Sequence, residues 1–182
     1  MLRGGYFLNE SNKEKAVNGN TYQAFLYNKY FSSYEPKLYI KYNHSYQTED
    51  LGRKVTDIEI ELASHPDICL IFEVTYSLRD DRYWSKEVQA NLVKKVLKSE
   101  NKKCIYILLL PDDEQYGENS KEPNNNKRFE YLINSGISKK NGVGFIDLFM
   151  RESDVEGFLK YVDACKYKRE KKIISEYLKY LS

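Results

Sequence analysis

The segment Ile68–Thr75 constrains the fold most, because it is rich in β-forming residues and apolar on both faces, as central strands are. Just before it, Asp57–Leu62 alternates acidic with apolar residues, and this period of two predicts a strand with one buried face. The intervening residues 63–67 have the composition of a turn. Two neighbouring strands with so short a connection are expected to form an antiparallel hairpin.

The other hydrophobic patterns predict helices and strands on both sides of this hairpin. Before the hairpin we expect a helix over about Asn20–Ser32, a strand over Leu38–Tyr42 and a loop over Asn43–Lys54. After it we expect a helix over about Ser85–Ser99, with Val88, Leu92, Val93 and Val96 on its apolar side, then a strand over Lys103–Leu110 and a loop over 112–128. The remaining elements are a short helix over Phe129–Asn134, a strand over Val143–Phe149, a helix from Ser153 or Asp154 to about Tyr161, and a basic amphipathic helix within 166–182. This order predicts an α/β fold in which helices flank a mixed central β-sheet. We interpret residues 1–182 as a single domain, with residues 1–17 as a polar lead-in.

Composition narrows the class of protein. The chain is 41% hydrophobic and 31% charged, which is ordinary for a globular protein, and its net charge of +2 does not by itself indicate nucleic-acid binding. No apolar run approaches the ~20 residues that a membrane helix needs, so no membrane partner is expected. Cys69 and Cys104 lie in apolar runs and are interpreted as reduced core residues of a cytoplasmic protein. The abundance of Lys, Asn, Tyr and Ile is typical of AT-rich bacterial genes.

Asp57 and Glu73 are the candidate metal ligands. If the hairpin turns symmetrically about His65, these two residues face each other, with side chains about 5 Å apart on one face of the sheet. Carboxylates at that distance repel each other unless a cation lies between them. With only two histidines and no CxxC pair, zinc is not expected, whereas Mg²⁺ prefers carboxylate oxygens. The backbone carbonyl of Val74 is a further candidate ligand.

The competing interpretation of these acids is a solvated strand face. We expect that interpretation to hold for Glu59 and Glu61, which lie on the alternating strand. Glu73 differs, because it interrupts a strand that is apolar on both faces, where an unpaired carboxylate costs several kcal/mol. A buried acid in that position favours a functional role.

Three strings resemble one nuclease family. Asn20-Thr21-Tyr22 with Phe25, then Asp57-Ile58, then Leu70 to Ser77 ending in Glu-Val-Thr-Tyr-Ser, resemble the cleavage domains of AlwI-like type IIS restriction and nicking endonucleases. They also resemble the small catalytic subunits of heterodimeric type IIS enzymes, all within the PD-(D/E)xK nuclease superfamily. The resemblance covers about residues 18–160 and implies a restriction-endonuclease-like core.

The resemblance implies catalytic roles for Asp57, Glu73, Thr75 and Glu87. Asp57 and Glu73 would bind one or two Mg²⁺ ions. Thr75 occupies the position where most of the superfamily carries a lysine, and its hydroxyl cannot supply that positive charge. Glu87 would add an acid, although an exposed helical glutamate is an equal alternative.

Other polar residues have weaker assignments. Lys86, Gln89, Lys94 and Lys95 are candidates for contacting DNA, against the alternative that the helix lysines simply face solvent. Asn18 stands where relatives often carry an acid, which weakens the case for a second metal ion.

The resulting expectation is a magnesium-dependent endonuclease that cuts one strand of double-stranded DNA. The chain has no recognisable base-reading module, so a larger DNA-recognising and nicking subunit or domain is the expected partner. Three alternatives stay open. One is a stand-alone repair or recombination nuclease of the same superfamily, and another is a non-catalytic DNA-binding assembly module. The third is a structural domain whose acids merely lie on its surface.

Overall fold

A mixed five-stranded β-sheet organises the chain in a computed structural model, which describes residues 20–35, 38–49, 52–62, 65–76, 80–112 and 144–165. The strands are β1 (Tyr39–Thr48), β2 (Gly52–Leu62), β3 (His65–Val74), β4 (Lys103–Leu110) and β5 (Leu148–Arg151). They lie in chain order across the sheet. The β1–β2 and β2–β3 pairings are antiparallel, and the β3–β4 and β4–β5 pairings are parallel. The predicted α/β class with a mixed sheet and flanking helices is confirmed.

Helices cover both faces of the sheet. Helix α1 includes residues 20–26 and continues as a π-helical turn (Tyr27–Phe31) and a 3-10 turn (Ser32–Tyr34). Together with α3 (Glu152–Cys165) it covers one face, where Phe72 packs edge-on against Phe31 and Phe158. Helix α2 (Asp80–Ser99) covers the other face. Strand β3 is apolar on both sides because it lies between these two layers.

The hairpin has the predicted register. Ile58 pairs with Phe72, and the three following pairs up to Glu61 with Cys69 keep the symmetric alignment about His65. The register shifts between Glu61 and Leu62, beside the turn. The hairpin and its register are therefore confirmed for these four pairs.

Several predicted boundaries were wrong. The segment Asn43–Lys54 is mostly strand, because β1 runs on to Thr48 and β2 already begins at Gly52. Its polar residues suit an edge strand, and Gly52 has a φ of +66° at the tight connection. Strand β5 begins at Leu148, later than the predicted Val143.

Other predictions on the helices and cysteines have mixed outcomes. Helix α2 begins at Asp80, earlier than predicted, and Val88 is exposed where the apolar face was expected. Cys69 and Cys104 are buried free thiols, as predicted. Among the described helices, none is both long and apolar enough to cross a membrane. The predicted lead-in with Asn18, nearly all of the 112–128 loop, the helix Phe129–Asn134 and the basic segment 166–182 lie outside the described residues.

Candidate functional site

Glu73 lies near the end of the central strand β3, and the residue is only 1% exposed. Three donors surround it on the α2 side of the sheet. The Lys86 ammonium forms an ion pair with Oε1, while Oε2 accepts hydrogen bonds from Gln89 Nε2 at 3.0 Å and from the Tyr106 hydroxyl at 3.1 Å. The buried charge is therefore compensated by one cation and two neutral donors, as burial requires.

Asp57 lies on β2, one residue before the Ile58–Phe72 pair, so continuing the register places it beside Glu73. Its Oδ2 accepts a hydrogen bond of 2.7 Å from the backbone N–H of Val74. Burial and the negative charge of Glu73 together raise the pKa of Asp57 to about 7, against the smaller opposing effects of Lys86 and the Val74 N–H. Asp57 and Glu73 are thus an interacting pair of acids, and we call them, together with Lys86 and Gln89, the acid cluster.

Val74 and Thr75 follow Glu73 at the end of β3. Val74 contributes its N–H to Asp57, which is a different role from the predicted carbonyl ligand. Thr75 is buried, and its N–H donates to the carbonyl of Leu109 at 2.9 Å. The backbone at Thr75 therefore continues the parallel pairing with β4 one residue past the strand.

Lys86 and Gln89 belong to the acid cluster. They are three residues apart on α2, a spacing that places two side chains on one helix face, and both reach Glu73. Gln89 Nε2 also donates to the carbonyl of Val55 at 2.8 Å, which ties α2 to β2. The sequence interpretation as DNA-contacting side chains missed these contacts, because they depend on how α2 docks on the sheet.

Glu87 has partners outside the acid cluster. Its Oε1 accepts from the Tyr83 hydroxyl at 2.5 Å, and its Oε2 accepts from the backbone amides of Phe145 at 2.5 Å and Ile146 at 3.2 Å. The carboxylate is buried, so the interpretation as an exposed helical glutamate was wrong. It anchors the segment that leads into β5.

Lys94 and Lys95 differ in environment. Lys94 forms an ion pair with Asp147, whose Oδ2 also accepts the N–H of Tyr106 at 2.8 Å. This largely buried lysine joins α2 to the sheet. The expectation that it faces solvent was therefore wrong. Lys95 is exposed on the same helix.

A second charged cluster lies along β1 and β2. Glu59 is fully buried and accepts from the Tyr46 hydroxyl at 2.5 Å and from Lys41 Nζ at 3.2 Å. Glu61 is partly buried and pairs with Lys41 at 2.9 Å and Lys102 at 2.8 Å. The expectation of a solvated face was wrong for Glu59, which is buried against Tyr46 of β1, and it holds in part for Glu61, whose side chain is 25% exposed. Assigning residues 43–48 to a strand paired with β2 would have revealed the contact between Tyr46 and Glu59.

The donor chemistry of the acid cluster fits a hard cation. Carboxylate oxygens are the ligands that Mg²⁺ prefers, and Asp57 and Glu73 offer two carboxylates with a single cationic neighbour. Within the described ranges, no group of three or more His, Cys, Asp or Glu side chains is arranged to hold a metal. Any ion here would therefore rely on the two carboxylates together with backbone oxygens, water or substrate.

Comparison with known proteins returned no match: no protein-family model, no curated protein and no solved structure is similar to this chain at a significant level.

Proposed function

We propose that this chain is a magnesium-dependent DNA endonuclease of the PD-(D/E)xK class, acting as the catalytic subunit or cleavage domain of a type IIS restriction enzyme. The observation that carries the proposal is the acid cluster, which joins Asp57 in the middle of β2 to Glu73 near the end of β3. Two acids on a hairpin with a lysine held against one of them supply the functional groups of such a site. The mixed sheet with helices on both faces is compatible with a restriction-endonuclease-like core.

In this proposal Asp57 and Glu73 hold the Mg²⁺ ion, which when bound supplies an activated water and neutralises charge on the phosphate. Lys86 supplies the positive charge that the Thr75 hydroxyl cannot. The Lys86 ammonium is in position for this role, because it already forms an ion pair with Glu73. Tyr106 and Gln89 hold the Glu73 carboxylate in one orientation through their hydrogen bonds. The substrate is double-stranded DNA, and sequence recognition comes from a larger partner.

The test is nicking of supercoiled plasmid by the full chain, alone and fused to a sequence-specific DNA-binding domain that raises its local concentration on DNA. We expect nicking with Mg²⁺ or Mn²⁺ and none with EDTA. Glu73→Gln and Lys86→Met should each lower the rate by roughly 100-fold or more, as loss of a transition-state charge contact does. Lys86→Arg should retain more activity than Lys86→Met.

The matched controls are Glu100→Gln and Lys98→Met, which alter exposed residues at or just beyond the end of α2. Both should retain the parental rate, and circular dichroism should show that every variant is folded. Absence of nicking by both forms of the protein with every divalent ion would refute the proposal and favour a non-catalytic DNA-binding module.

A further inference from the structure

A cleft of about 310 Å³ opens beside the acid cluster, between the start of β2 and α2. The described residues that line it are Lys54, Trp84, Ser85, Val88 and Gln89. Gln89 belongs both to this cleft and to the acid cluster, because its amide donates to Glu73 Oε2 at 3.0 Å. A ligand in the cleft would therefore lie next to any phosphate that reaches the acid cluster.

The apolar part of the lining is exposed. Trp84, the only tryptophan of the chain, is 55% exposed, and Val88 is 50% exposed. They are four residues apart on α2 and so share one helix face. The Trp84 ring touches Tyr83 edge-on, with centroids 5.3 Å apart. An exposed indole over an open cleft is a surface on which a planar ring can stack.

The polar part of the lining complements a nucleotide. Lys54 brings a positive charge, and within the part of the chain that the structure describes no acidic side chain forms a salt bridge with it. Ser85 adds a hydroxyl and Gln89 an amide. A cation for phosphate, an aromatic face for a base and small polar groups for the base edge are the components of single-stranded nucleic-acid sites.

We propose that this cleft binds one unstacked nucleotide of the DNA strand, with its base on Trp84 and its phosphate against Lys54, adjacent to the phosphodiester at the acid cluster. The inference rests on the proposed nuclease function and adds a substrate contact to it. A protein partner is a poorer match, since a stable protein interface uses roughly 20–30 residues on each side, whereas five of the described residues line this cleft.

The experiment uses Trp84 as its own reporter. The full chain is titrated in EDTA with a single-stranded thymidine octamer while tryptophan fluorescence is followed, so that no cleavage is involved. We expect saturable quenching that weakens as salt rises, because binding displaces counterions. Anisotropy of a labelled octamer should show roughly 10-fold weaker binding for Trp84→Ala, the loss expected of one stacking contact. Lys54→Ala should weaken binding and reduce its salt dependence, and Trp84→Phe should retain most of the affinity.

Tyr39→Ala and Lys98→Ala are the matched controls, because they remove an exposed aromatic ring on β1 and an exposed lysine on α2 away from the cleft. Neither should change the affinity. Absence of quenching, or an octamer affinity that is the same in Trp84→Ala and Lys54→Ala as in the parent, would overturn the inference. If the parent self-associates and Trp84→Ala abolishes this while octamer binding stays intact, the inference is overturned in favour of a protein interface.

The two proposals fail separately. Glu73→Gln should lose nicking and keep the fluorescence response, because the cleft does not need the Glu73 charge. If the parent binds the octamer in the cleft but never nicks DNA, the nuclease proposal fails and the nucleotide site stands. If the parent nicks DNA while Trp84 does not respond to the octamer, the cleft proposal fails alone.

Discussion

Replacing Asp57 by Asn is expected to stabilise the metal-free protein at neutral and alkaline pH. Burial and the charge of Glu73 raise the pKa of Asp57 from its ordinary value of 3.8 to about 7. At about 1.4 kcal/mol per pKa unit, a shift of about three units corresponds to about 4 kcal/mol of penalty for the ionised form. Asn is nearly isosteric and carries an oxygen that can still accept the Val74 N–H, so most of that penalty should be removed. We expect a gain of about 2–4 kcal/mol at pH 8.5.

The sign of the pH dependence follows from the raised pKa. A carboxyl group that holds its proton more tightly in the folded state contributes stability that is fully present below its unfolded pKa, near 3.8. That contribution declines as the pH rises above this value and is lost by the time it passes the folded pKa of about 7. The Asp57→Asn variant has no such group, so its advantage over the parent should grow between pH 4 and pH 8.

Urea denaturation followed by circular dichroism, in EDTA and at several pH values between 4.5 and 8.5, measures this difference. Asp163→Asn on α3 is the control, and it should not reproduce the pH-dependent gain. If Asp57→Asn destabilised the protein at pH 8.5, or if its advantage were the same at every pH, the burial and repulsion of Asp57 would not be the source of its raised pKa.

Three further substitutions test the packing and the charge networks by urea denaturation. Phe72→Ala should lower the free energy of unfolding by about 4 kcal/mol, because it leaves a cavity where the Phe72 ring contacts α1 and α3. A loss below about 1 kcal/mol would contradict this. Tyr46→Phe should cost about 2 kcal/mol by removing a donor from buried, charged Glu59, and an unchanged stability would show that this hydrogen bond is not needed. Glu87→Ala should cost about 3 kcal/mol by leaving two amides before β5 without an acceptor, while the Mg²⁺ dependence of nicking stays the same; a changed dependence would make Glu87 part of the site.

The hairpin was predictable because two local signals agree. Alternation on one strand and apolarity on the next allow only a register that buries Ile58 and Ile60 with Leu70 and Phe72. A slip of one residue would turn the acids of β2 into that apolar layer. The approach of Asp57 to Glu73 follows from the same register, so this part of the candidate site could be inferred without tertiary information.

The contacts that cross between elements could not be predicted in this way. Three side chains reach Glu73 only because α2 packs on the sheet at one position and β4 pairs with β3 in one register. They are those of Lys86, Gln89 and Tyr106. Glu59 was misjudged because a residue's exposure depends on what covers its strand, and β1 was predicted to end too early. Alternation fixes which residues share a face, but it does not determine whether that face meets water.

The two faces of the sheet have different consequences for stability and function. On the face covered by α1 and α3, hydrophobic residues form the core with the Phe31, Phe72 and Phe158 contacts, and none of the described buried carboxylates lies there. On the α2 face, Glu59, Glu73 and Glu87 are all buried among apolar residues. Each of these glutamates has donors, but Asp57 beside Glu73 is not fully compensated and its pKa is raised, so the α2 face contributes less to the stability of the fold than the apolar face. Such a division is expected of a functional site, where charge is retained in spite of its cost to folding.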